Sequence, residues 1–269
     1  MLNIALQGFI QGLTEFLPVS SSGHLTLFQF FTGRNDLEAN LAADVALHFG
    51  TLLAVIFFFR HEIKPFFTLS GLKDSKTRRL AALIFVASIP TAIIGLAFKK
   101  QFEALFANPI AVCIALFATG LLLLVAEKIK ARQSDRLELE SISFFKALII
   151  GTAQGFAITP GISRSGSTIS TALIAGLNGE DAARFSFLLM IPAVGGASLL
   201  EMRKVFEAGK VVGYLPSELL VGLFVAAITG FAALKLLVFM IKKQKLSLFS
   251  YYLFAISAIS LIAILGKQQ

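Results

Sequence analysis

The chain has 269 residues, 56% of them hydrophobic and only 15% charged, with a mean hydropathy of +0.81, which excludes a soluble globular domain and leaves room for several bilayer crossings. The formal charge of +8 does not point to nucleic acid, because the basic residues sit in short clusters between apolar runs, where they orient a membrane protein. A single cysteine, Cys113, excludes an internal disulfide and lies in an apolar run as ordinary packing.

Residues 1–32 are apolar, but Pro18-Val19-Ser20-Ser21-Ser22-Gly23 interrupts them near the middle. No basic residue precedes Arg34, so this start lacks the charged lead of a cleavable signal and is expected to stay in the mature protein. Stretches able to cross about 30 Å of hydrocarbon as helices follow at 41–59, 80–98 and 109–127. Residues 128–143 carry both charge signs and read as an exposed connection. A second apolar region, 144–178, is broken at Pro160-Gly161-Ile162-Ser163-Arg164-Ser165-Gly166, and three further spans follow at 183–201, 218–241 and 248–266.

Irregular backbone at membrane depth survives only inside protein or beside a wet cavity. Each broken region is therefore expected to form a re-entrant helix–loop–helix hairpin, with a Pro-kinked full span as the alternative. Aligning Gln11-Gly12 with Gln154-Gly155 places Ser20 on Ser163, Ser22 on Ser165 and Gly23 on Gly166. Three spans follow each copy, and an odd number between copies inverts the second relative to the first. The expected fold is an all-α integral membrane protein, with six transmembrane helices plus two re-entrant hairpins in an inverted-topology repeat. It forms one polytopic domain, with repeat one at about 1–127, repeat two at about 144–266 and a basic cytoplasmic connection at about 128–143. Lysine and arginine number six in 60–79, five in 128–146 and three in 242–247. The alternating segments carry one in 33–40, two in 99–108, three in 203–217 and one in the tail. The richer set is expected in the cytoplasm, with both termini and the mouth of the first hairpin outside.

Two polar tips entering from opposite faces would bring Glu15, Ser20, Ser21, Ser22 and His24 toward Ser163, Arg164, Ser165, Ser167 and Thr168. Arg164 is the only arginine expected deep in the membrane, where a charge is costly and marks a functional site. Gly161, Gly166, the hydroxyls and a helix start surround it, and such a set favours an anion, phosphate above all, because guanidinium matches phosphate oxygens bidentately. Structural pairing of Arg164 with Glu15 is the plainer alternative, although it would not need so many hydroxyls. A serine, a histidine and a carboxylate beside a phosphate site suggest phosphoryl transfer. Glu15, with Gln11 one turn earlier, would offer oxygens to a divalent cation. Asp44 reads equally as a residue at the mouth or as a solvated helix end. His48 reads as packing more readily than as cavity lining, His61 as solvated and Lys235 as snorkelling.

QGLTEFLPVSSSGH (Gln11 to His24) and PGISRSGSTIS (Pro160 to Ser170) resemble the two signature segments of the undecaprenyl-diphosphate phosphatase family, integral-membrane proteins also known for conferring bacitracin resistance. HFGTLLAV (His48 to Val55) and FSFLLMIP (Phe185 to Pro192) extend the likeness over most of the chain. The resemblance implies hydrolysis of the terminal phosphate of undecaprenyl diphosphate, recycling the lipid carrier for peptidoglycan. It implies Glu15 as a metal or catalytic carboxylate, Ser21 as nucleophile, His24 as its base and Arg164 as the diphosphate ligand, with Ser163 and Thr168 nearby. Ser20, Ser22, Gly161, Ser165 and Gly166 complete the expected substrate-binding set. The family's first motif begins with Glu or Gln; with Gln11 here, Mg2+ or Ca2+ would bind less tightly than at a paired carboxylate. The resemblance also implies a multi-pass protein of the bacterial plasma membrane, with its site open to the periplasmic side. The expected partners are the lipid substrate and the bilayer, with no nucleic acid and room for a homodimer. A polyprenyl-phosphate flippase or secondary transporter using the same phosphate site is the rival reading. A phosphatase of the other lipid-phosphatase superfamily is set aside, since Ser170 stands where its pattern needs a histidine.

Overall fold

Proline, glycine and aspartate mark several of the helix ends. The computed structural model describes residues 1–33, 37–131, 137–207, 214–243 and 245–267; Arg34 and residues 132–136, within the predicted charged connection, lie outside that set. α1 (Leu2–Phe16) stops at Leu17, which is extended as the residue before a proline is biased to be. α2 (Ser21–Thr32) follows at once and closes on Gly33 in the left-handed conformation. α3 (Leu37–Phe58), α4 (Arg60–Ile63), a 3-10 turn at Lys64–Phe67 and α5 (Leu69–Lys73) lead to α6 (Ser75–Ala97). Asp74 starts α6 by accepting from the Thr77 amide at 2.8 Å. α7 (Lys99–Phe106) lies between α6 and α8 (Pro109–Ala131), and α8 opens with its proline where the missing amide hydrogen is harmless. The second half runs through α9 (Phe144–Phe156), α10 (Arg164–Ile174), α11 (Gly179–Glu207), α12 (Pro216–Lys242) and α13 (Ser247–Lys267).

Among the described residues five helices, α6, α8, α11, α12 and α13, are long and apolar enough to cross a bilayer. The predicted span at 41–59 corresponds to α3, whose Ala42–Phe58 portion qualifies together with Arg60–Phe67, a segment bent from it by 75°. Among the described residues the fold is therefore all-helical and multi-pass, with five candidate spans, or six if that bent pair counts as one. Large apolar side chains stand outward along them, such as Phe85 and Ile93 on α6 and Ile259 and Ile262 on α13, as lipid-facing surfaces require. Pro90 and Pro192 lie inside α6 and α11 without ending them.

Small residues let the shorter helices approach the long ones. A Cβ on Gly8 or Gly12 of α1 would overlap the backbone of α12 at Gly222 and Ala226, and one on Gly151 of α9 would overlap the Ala87 carbonyl of α6. Each pair is a small-xxx-small face at a helix crossing. At the centre, Phe16 meets Phe187 edge to face with centroids 5.8 Å apart, tying the end of α1 to α11.

Candidate active site

The site is built on two helix starts. Between α1 and α2 the chain turns through Pro18 and Val19 into Ser20, whose φ of 69° is the one positive value among described non-glycine residues. Such a conformation persists only where its surroundings impose it. Here the Ser20 hydroxyl accepts from the Gly23 amide at 3.2 Å and caps α2. The result puts Ser21 in the first turn of α2, with its hydroxyl donating to Glu15 Oε2 on the helix just left.

Between α9 and α10 the chain turns at Gly161, with φ of 92° and no room for a Cβ beneath the Val112 carbonyl. Thr119 of α8 pins this turn: its hydroxyl donates to the Gly161 carbonyl at 3.2 Å and accepts from the Ser163 amide at 3.1 Å. Ser163 then caps α10 by accepting from the Gly166 amide at 3.0 Å.

The two turns meet. Ser165 donates to the Leu17 carbonyl at 3.1 Å, Ser20 donates to the Ile162 carbonyl at 3.4 Å, and Gly23 faces Gly161 with no space for a side chain between them. Across this junction Arg164 Nη2 pairs with Glu15 Oε1 at 2.5 Å, the two side chains being 13% and 6% exposed. Glu15 Oε2 also accepts from Gln11 Nε2 at 3.1 Å, and His48 Nε2 stands 4.0 Å away. Two polar atoms of this cluster are buried without a partner, Arg164 Nη1 and Gln11 Oε1. Two helix N-termini and a guanidinium with an unused donor make a place for an anion.

Of the residues expected from sequence, Glu15, Ser20, Ser21, Gly161, Ser163, Arg164 and Ser165 are joined by these contacts, with Gln11 behind Glu15. Ser22 lies 3.3 Å from Ser20, hydroxyl to hydroxyl, and Gly166 serves the cap. Thr168 donates to the Arg164 carbonyl at 2.8 Å and meets the Ser186 hydroxyl at 2.5 Å. His24 is turned elsewhere: Nδ1 lies 2.8 Å from the Ser20 carbonyl and Nε2 lies 2.7 Å from the Tyr252 hydroxyl. Neither ring nitrogen has a hydrogen bond to Ser21, so the group touching the Ser21 hydroxyl is Glu15. His48 stands beside Glu15, with its Nδ1 on the Asp44 carbonyl at 2.8 Å. Asp44 Oδ1 is buried without a partner, unlike a solvated helix end. Lys235 lies over the Phe231 ring at 4.8 Å.

Thr119, Ser186 and Tyr252 escaped the sequence reading. A lone threonine or serine in an apolar helix ordinarily bonds its own carbonyls, so nothing local marks these residues.

A divalent cation meets only part of a donor set here. Among the described residues no three His, Cys, Asp or Glu side chains are grouped to hold one. One carboxylate and the partnerless Gln11 Oε1 fit an ion that brings waters and phosphate oxygens with it, as Mg2+ does, rather than a protein cage.

Residues 4–259 match the family described as bacitracin resistance protein BacA. A relative from Carboxydothermus hydrogenoformans, named undecaprenyl-diphosphatase, is 44% identical over 256 residues, covering 95% of this chain and 94% of its own. Relatives of the same name from Halothermothrix orenii and Methanobrevibacter smithii are 41% and 38% identical, covering 97% and 94% of this chain and 97% and 93% of theirs.

Proposed function

The chain belongs to the bacitracin resistance protein BacA family, and from that membership and the site we infer that it is an undecaprenyl-diphosphatase, releasing inorganic phosphate from undecaprenyl diphosphate and returning undecaprenyl phosphate as the carrier for wall polymers. The observation that carries this reading is the buried, acceptor-less Nη1 of Arg164, next to a serine hydroxyl held by a carboxylate.

In this reading the terminal phosphate lies against Arg164 and the starts of α2 and α10, where the amide ends favour negative charge. Ser21 Oγ attacks the terminal phosphorus while its proton passes to Glu15. The bond from that phosphorus to the bridging oxygen breaks, and undecaprenyl phosphate leaves. Water then attacks the seryl phosphate, giving inorganic phosphate and restoring the hydroxyl. His24 holds the Ser20 carbonyl and so keeps the start of α2, with Ser21, in place. Ser22, Ser163, Ser165 and Thr168 supply hydroxyls or order the two turns. Glu15 and Gln11 would hold a divalent ion, which would add positive charge beside the phosphoryl oxygens. The polyprenyl tail stays in lipid, and only its headgroup enters the site.

The same reading takes α1–α2 and α9–α10 as re-entrant hairpins of an inverted repeat, in repeats of about 1–127 and 144–266. Local geometry supports it residue by residue. Gly8 and Gly12 pack on α12 as Gly151 and Gly155 pack on α6. Ser20 and Ser163 cap α2 and α10 through Gly23 and Gly166, and each stands close to the serine two positions on. Glu15 has no carboxylate counterpart, its aligned position being Ile158, so one copy supplies the carboxylate and the other the arginine. The excess of lysine and arginine in 60–79 and around the 128–143 connection supports a cytoplasmic side for both, and the same reading puts the protein in a bacterial plasma membrane with its site open to the outer side.

The test is phosphate release from undecaprenyl diphosphate by purified protein. Arg164→Ala is expected to lower kcat by roughly 100-fold or more, as loss of a donor to transition-state charge does, with the thermal transition retained. Arg164→Lys should recover little, since an ammonium lacks the planar fork. Normal turnover in Arg164→Ala would remove the arginine from the site.

A further inference from the structure

After α3 the chain bends by 75° and forms a small folded knuckle through α4, the Lys64–Phe67 turn and α5. The knuckle is tightly built. A Cβ on Gly71 would overlap the Pro65 backbone, so α5 lies directly on the turn before it. Thr68 closes the fold, accepting from the Gly71 amide at 3.2 Å and donating to the Pro65 carbonyl at 3.3 Å. Ile63 and Phe66 pack inward against the core. Phe67, Leu69 and Leu72 point the other way and are 83%, 82% and 49% exposed.

The folded segment therefore has two apolar faces, and among the described residues only one is covered. Side chains of this size gain by leaving water, and three of them grouped on one surface mark a place where an apolar neighbour fits. The knuckle leads directly into α6, which is long and apolar enough to cross a bilayer, and the end of a span is where hydrocarbon gives way to headgroups. Its apolar face continues the outward side of α3 at Ile56 and Phe57. Around it Arg60, Lys64 and Lys73 are exposed, against one acidic residue, Glu62, in the same stretch. The Arg60 guanidinium lies over the Phe57 ring, 4.7 Å from its centroid, and donates to the Phe57 carbonyl at 2.9 Å, which holds a cation at the edge of this apolar surface. Outward apolar residues rimmed by cations are the signature of a segment lying in the membrane interface, drawn to anionic lipid.

We propose that the α4–α5 knuckle is an interfacial anchor: Phe67, Leu69 and Leu72 enter the headgroup–acyl boundary, and Arg60, Lys64 and Lys73 meet anionic headgroups. The chain has no tryptophan, so Phe67→Trp in the full-length protein is a single-site reporter. Reconstituted in vesicles containing phosphatidylglycerol and lipids brominated high on the acyl chain, it should lose most of its emission, while iodide in the buffer quenches it little. Leu69→Trp should behave alike and serves if the first variant folds poorly. Adding Lys64→Glu with Lys73→Glu should weaken the lipid quenching in phosphatidylglycerol vesicles and leave it unchanged in purely zwitterionic ones. Strong iodide quenching with no effect of bromination would overturn the anchor. A charge reversal without effect in anionic vesicles would overturn the headgroup assignment. Quenching that changes with protein-to-lipid ratio at fixed bromination would assign the patch to a second copy and overturn the proposal.

Discussion

Ser21 and His24 stand three residues apart on α2, yet their hydrogen bonds run to different neighbours, Glu15 for the serine and Tyr252 with the Ser20 carbonyl for the histidine. Polar residues are so rare in this chain that the candidate cluster could be read directly from it, because lipid gives Glu15, Ser21 and Arg164 no other reason to be there. Which of them touch could not be read. Rotation of α2 about its axis separates a serine facing Glu15 from one facing away, and the positive φ of Ser20 at the helix start bears on that rotation. The distinction is measurable. Glu15→Gln should lower kcat by about 100-fold to 10,000-fold, the range for loss of a positioned base, while His24→Gln should cost less and act through the placement of Ser21. Phosphate release, with acid trapping of labelled seryl phosphate, separates them: the trapped species should form in His24→Gln and be absent in Ser21→Ala. Equal losses in Glu15→Gln and His24→Gln, with no trapped species in the parent protein, would point to attack by water with both groups engaged.

The helices extend past their apolar windows because caps and charges belong to them too. α6 begins at Ser75, capped by Asp74, five residues before the apolar stretch predicted from Leu80. α11 likewise begins at Gly179, with Glu180 and Asp181 in its first turn where the helix dipole favours acids. The breaks at Pro18 and at Pro160-Gly161 were visible because proline and glycine act locally. Gly8 with Gly12 and Gly151 with Gly155 stand at small-xxx-small spacing, which signals a close approach without naming the partner helix. Gly151→Leu should therefore destabilise the α9–α6 contact by roughly 1–3 kcal/mol, as overpacking does, read as a lower unfolding temperature in detergent. Gly196→Leu on α11, where a Cβ meets nothing within 4 Å, is the control and should leave that temperature unchanged or raised. A fall of similar size at both sites would mean that close packing at Gly151 is not the cause.

Across the whole molecule, one carboxylate from the first half and one guanidinium from the second close the site, so neither half is sufficient alone. The proposed orientation has a direct check, because native Cys113 is buried. A membrane-impermeant maleimide should label Lys100→Cys in intact cells and Lys76→Cys only after permeabilisation; the reverse pattern would turn the protein over in the membrane. Composition and the rhythm of apolar runs determined by themselves that the chain is helical and multi-pass, since each crossing must satisfy its own backbone hydrogen bonds within one stretch of sequence. The same scarcity of partners in lipid marked the polar residues of the site. Only the tertiary structure decided that α3 gives way to a bent basic knuckle, that Thr119, Ser186 and Tyr252 support the site, and that Glu15 rather than His24 holds Ser21. Those outcomes depend on how helices far apart in sequence rotate and settle against one another, and periodicity along a single helix carries no record of the face its distant neighbour will present.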